Sequence, residues 1–90
     1  MTLPDITLPI VHLNGTGQLE LIQQRIGVHK ALEAAYRTLK KMAPNGRDYY
    51  PAGPAAMEAA IEQHQRRMLV LDGLMNELEY EIHALDRIGG

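Results

Sequence analysis

The side chains able to do chemistry in this chain are few and unevenly placed. Four histidines occur, His12, His29, His64 and His83, and no two of them stand three or four residues apart. No single helix face therefore presents the pair that a His-Glu-x-x-His metal site requires. Cysteine and serine are both absent, which removes the thiolate and the commonest hydroxyl nucleophile. There is no Gly-x-Ser-x-Gly and no phosphate-binding P-loop. Glu62 and His64 lie two residues apart, on different faces of any helix. The expectation is a protein that is not an enzyme and needs no metal or cofactor.

Binding chemistry is better represented. The stretch "APNGRDYYPAGPAA", residues 43–56, sets Arg47, Asp48, Tyr49 and Tyr50 among prolines and glycines. A tyrosine face beside a guanidinium is a minimal grip for a nucleobase and a phosphate, since stacking contributes about 1–3 kcal/mol per base. The same pair anchors protein interfaces. A structural reading carries comparable weight, in which a tyrosine folds back as a lid over the open end of a helix pair. Read as an extended segment, Tyr49-Tyr50-Pro51 points its two rings in opposite directions, so both readings can hold together.

Two further sites divide in the same way. Arg66-Arg67 reads first as a solvated face pairing with Glu58 or Glu62, and second as two forks for phosphate oxygens. His64 falls where leucine or isoleucine is expected. The favoured reading is a polar core residue that fixes register through a hydrogen bond to Tyr36. The sharper one is a ligand-facing imidazole beside Arg66 or Arg67. His29, at the edge of an apolar stripe, reads as structural.

The elements that must position these residues are legible. Residues 1–16 read as an extended arm: Pro4 and Pro9 bar a helix, and Ile6, Leu8, Ile10 and His12 alternate with Thr7, Pro9, Val11 and Leu13. Asn14-Gly15 reads as a turn, since both residues tolerate positive φ. Residues 17–43 read as a helix, capped by Thr16 or Asn14 and stopped by Pro44. Its stripe is Leu19, Ile22, Ile26, His29, Leu32, Tyr36, Leu39 and Ala43, with Leu21, Val28, Ala35 and Met42 as a second row.

Residues 44–54 form the connector, where Asn45-Gly46 turns and Asp48 caps or makes an Asx-turn. Gly53-Pro54 then opens a long helix over 55–88. That helix keeps a heptad, with Met57, His64, Leu71, Leu78 and Leu85 at one seam position and Ile61, Met68, Met75 and Ile82 at the other. Gly89-Gly90 follow it.

The chain is one small domain of 90 residues, all-α, an antiparallel helical hairpin with an extended N-terminal arm. A net charge of −2 argues against a general nucleic-acid binder. The charge is unevenly shared. From Gln18 to Ala43 five basic residues face two acidic ones, and from Ala55 to Ile88 three face seven. A lone hairpin covers only one side of each apolar stripe, so a helical homo-oligomer centred on the long helix is expected. No apolar run approaches a membrane span and no secretory signal is visible, so a cytoplasmic setting is expected. The acceptor pattern Asn14-Gly15-Thr16 then reads as a chance match to a glycosylation site.

The stretches "HLNGT" (12–16) and "PNGRDYYPAG" (44–53), separated by a helix and followed by a long one, resemble small accessory proteins of tailed bacteriophages and prophages. That group has no assigned activity. The resemblance implies an accessory protein in an infected bacterial cytoplasm. Phage accessory proteins of this size include sponges, compact oligomers that sequester the cyclic nucleotide signals of host defence. A sponge needs aromatic faces and phosphate-binding arginines between subunits, and here Arg47, Tyr49, Tyr50, Asn14, Thr16, His64 and Arg67 match that chemistry. A module that docks on a host or phage protein is the alternative, and a virion or assembly component is a third.

Overall fold

The computed structural model describes residues 5–88. The expectations for Pro4 and for Gly89-Gly90 lie outside them. Two long helices dominate, α1 (Gln18–Lys40) and α3 (Pro54–Ile88). Between them stand a single-turn helix α2 (Gly46–Tyr49) and a 3-10 turn (Tyr50–Ala52). No strand occurs among the described residues. α1 and α3 pack side by side and antiparallel, so that Gln18 at the start of α1 donates from Nε2 to the Leu85 carbonyl near the end of α3 at 2.7 Å. The rod measures 62 × 24 × 19 Å. Its radius of gyration is 18.5 Å, against about 12 Å for a compact domain of this length.

The heptad of α3 is the face turned to α1. Met75 and Leu85 are buried, and the other seam residues are half-buried except Ile61, which is 38% exposed. The answering row on α1 differs from the stripe expected. Leu19 is 66% exposed and Ile26 lies at the margin, while Gln18, Ile22, Arg25, His29, Leu32, Tyr36 and Leu39 are all half-buried. Steps of four and three connect these seven residues, as a packing seam requires. Gln18 and Arg25 occupy seam positions because each finds a partner on α3, so their polar heads are satisfied beneath apolar neighbours. Of the second row only Leu21 is buried; Ala35 is exposed, as are Val28 and Met42.

Several local expectations are corrected. The N-cap of α1 is Gly17, with no side-chain cap from Thr16 or Asn14. The turn expected at Asn14-Gly15 is present, closed by Gly15 N–H donating to the His12 carbonyl at 3.1 Å. There the His12 ring lies over Gly15, where a Cβ would come 2.7 Å from Nε2. The arm's alternation slips at its centre, so that Ile6, Leu8, Pro9 and Val11 are half-buried while Ile10 and His12 are exposed. Proline's fixed φ and missing N–H leave no ladder to hold a strict period of two.

α1 ends at Lys40 rather than Ala43. Its last carbonyls are taken by Lys41, Met42 and Ala43 in i, i+3 bonds of 2.9–3.2 Å, a tightening that satisfies them just before Pro44. No helix among the described residues is long and apolar enough to cross a membrane.

Candidate functional site

The connector is a folded wedge. Asn45, not Asp48, supplies the cap: its side-chain oxygen accepts from Arg47 N–H at 2.9 Å, and its carbonyl accepts from Asp48 N–H at 3.0 Å. These two bonds nucleate α2. The 3-10 turn follows, closed by Gly53 N–H on the Tyr50 carbonyl at 3.1 Å. Gly53 then takes φ +93°, a conformation that favours glycine, and hands the chain to Pro54. Tyr49 and Tyr50 thus lie in consecutive helical turns. The expected extended segment is not formed, yet the rings still separate, with Tyr49 half-buried and Tyr50 76% exposed.

Folding the connector inward shifts the register of the hairpin. The first turns of α3 stand opposite the connector instead of the end of α1. Tyr36 consequently meets Asp72 and Met75 across a central cavity, and Lys40 Nζ lies 5.9 Å from the Tyr36 ring centroid. His64 is not bonded to Tyr36, which corrects the reading of a register-fixing pair. Its Nδ1 is buried with no hydrogen-bond partner in the chain. A buried polar atom left so costs about 1–3 kcal/mol.

His64 instead lines a cavity of about 300 Å³ at the connector end. Tyr49, Pro44 and Met42 close one side of it, and Gln63, Arg67 and small alanines of α3 the other. The alanines matter because their short side chains create the space. Three of the seven residues singled out in the sequence, Tyr49, His64 and Arg67, therefore converge on one recess. Arg47 and Tyr50 lie on the exposed outer surface of the wedge. Asn14 and Thr16 precede α1 and sit at the far end of the rod, roughly 34 Å away by the rise of 23 helical residues. Within one chain they do not join the cavity.

A second polar cluster was not anticipated. Arg25 Nε donates to Glu81 Oε1 at 2.6 Å, and Arg25 Nη1 donates to the Leu21 carbonyl at 3.0 Å. One turn along, His29 lies between two carboxylates, with Nδ1 3.3 Å from Glu33 and Nε2 3.2 Å from Glu79. His29, Glu33, Arg37, Asp72 and Glu79 line the central cavity, also about 300 Å³. The signal for this cluster was the seven-residue spacing Gln18, Arg25, Leu32, Leu39, which a search for apolar residues alone passes over. No group of three side chains suited to holding a metal ion occurs among the described residues. The hydrogen bonds Arg25–Glu81 and His29–Glu79 tie α1 to α3.

Set beside protein-family models, curated proteins and solved structures, the chain matches none of them.

Proposed function

We propose that this chain is a non-catalytic binding protein that holds a small phosphorylated ligand, of the cyclic-nucleotide class, in the connector-end cavity. One observation carries the reading: Tyr49, His64 and Arg67 line the same recess of about 300 Å³, a volume at the lower edge of the range typical of ligand pockets. Tyr49 offers a face for a base and Arg67 a planar fork for phosphate oxygens. His64 lacks the intrachain bond that a register-fixing role requires, so its imidazole is the residue a ligand oxygen best explains. A flip of the ring about its Cβ–Cγ bond exchanges Nδ1 with Cδ2 and so turns the unpaired nitrogen to the opposite edge of the ring. The likeness of "HLNGT" and "PNGRDYYPAG" to phage accessory proteins suggests the setting, sequestration of a host defence signal in the bacterial cytoplasm without turnover.

Calorimetric titration of cyclic di- and trinucleotides tests this. The expected result is saturable heat with at least one of them, lost in Arg67→Ala. Heat at the level of buffer dilution for the whole panel would sink the reading.

A second reading rests on a separate observation. Tyr50, 76% exposed, stands with exposed Arg47 on the outer surface of the wedge, and exposed Tyr and Arg are favoured interface anchors. Under this reading the chain docks on a host or phage protein. Tyr50→Ala would then abolish capture of a stoichiometric partner while leaving nucleotide heats unchanged.

A further inference from the structure

The side of α3 turned away from α1 is apolar where a solvated surface would be charged. Because Met68, Leu71 and Met75 face α1, helical register points Leu69, Val70, Gly73 and Leu74 outward. Leu69 and Val70 are 69% and 64% exposed, and Leu74 is 41% exposed. Gly73 sits mid-way along a 35-residue helix, where glycine costs about 1 kcal/mol relative to alanine. A Cβ added there meets nothing within 4 Å. The bare backbone at Gly73, beside the exposed Leu69, Val70 and Leu74, leaves room for close approach by another helix.

Charge on this face has a direction. Arg66 and Arg67 precede the apolar patch along α3, and Glu77 follows it. There is also surface to spare. A compact monomer of 10.0 kDa exposes about 5,200 Å² by mass scaling, whereas this chain exposes 6802 Å². The difference, about 1,600 Å², is more than the roughly 800 Å² each partner contributes to a stable interface.

We propose that a second copy of the chain occupies this face, its α3 crossing antiparallel about a two-fold axis that passes between Leu71 and Asp72. Pairing about that point sets Arg66 of each copy opposite Glu77 of the other, and Leu69 opposite Leu74. Val70 of one copy meets the bare backbone of Gly73 in the other. A parallel arrangement would instead set arginine against arginine and glutamate against glutamate. An unrelated partner would have to carry an acidic and a basic cluster in the complementary order; the chain's own face supplies both by symmetry. The inference is independent of what the connector-end cavity binds.

The absence of native cysteine makes the test direct. Analytical ultracentrifugation should give at least twice the 10.0 kDa chain mass. Arg66→Glu with Arg67→Glu should sediment as a monomer, and so should Glu77→Arg. Mixing those two variants should restore the wild-type mass, because each supplies the charge the other now needs. Under mild oxidation Val70→Cys mixed with Gly73→Cys should cross-link, whereas Arg66→Cys should not. Helicity by circular dichroism shows that each variant is folded. A monomer at every concentration would overturn the proposal. So would cross-linking of Arg66→Cys equal to that of the Val70→Cys and Gly73→Cys pair, or an oligomer indifferent to both charge reversals.

Discussion

Arg25 Nε lies 2.6 Å from Glu81 Oε1, with the two side chains only 20% and 18% exposed. This pair joins the helices across 56 positions of sequence and stands inside the seam rather than on its rim. Partial burial raises its importance above that of a surface pair, because removing one partner strands the other charge away from water.

Arg25→Ala should therefore destabilise the fold by about 2 kcal/mol, between the values for exposed and fully buried pairs. Glu81→Gln should cost less, since the amide oxygen still accepts. Urea denaturation at fixed protein concentration, carried through the double-mutant cycle, isolates the pair. A coupling energy near zero would show that the two side chains act separately.

His64→Leu separates the structural from the ligand role. Replacing an unpartnered buried polar atom by an apolar group of similar size should stabilise the chain by about 1 kcal/mol. The same substitution should abolish the calorimetric signal of any nucleotide held in the cavity. Loss of stability instead would mean that His64 is bonded in solution.

The connector depends on two residues. Gly53→Ala places a Cβ at φ +93° and should cost about 1–2 kcal/mol. Asn45→Ala removes the bond to Arg47 N–H and should cost about 1 kcal/mol. Thermal melts of both measure these losses. Asp48→Ala serves as the control and should lie within about 0.5 kcal/mol of wild type, since Asp48 makes no cap.

Gly27 is the counterpart of Gly73 on α1, exposed and with open space around it. Gly27→Ala should raise stability by about 1 kcal/mol, read as a rise of about 4–8 °C in the melting midpoint. Oligomer mass should not change. Gly73→Leu should gain helix propensity too, yet lose the wild-type mass in ultracentrifugation, because its added side chain fills the gap proposed for the second copy.

The helical architecture was readable from local order. Nine heptad positions from Met57 to Leu85 predict a single packed face, and Pro44 and Gly53-Pro54 bracket the connector, because periodicity and backbone restriction act within a few residues of chain. The interior of α1 was less legible. Arg25 looks like a surface residue until Glu81 arrives from the other helix, and no local pattern announces a partner so distant. The register was also undetermined. It follows from the connector, where two hydrogen bonds from Asn45 turn an apparently extended segment into helical turns and move His64 away from Tyr36.

The candidate site divides along the same line. Residue types alone nominated Tyr49, His64 and Arg67, and their helical spacing is compatible with one recess. Only the packed hairpin determined that these three converge while Asn14 and Thr16 lie a helix length away. Local sequence sets which torsions and faces are available; which faces meet depends on burial and partner geometry summed over the whole chain.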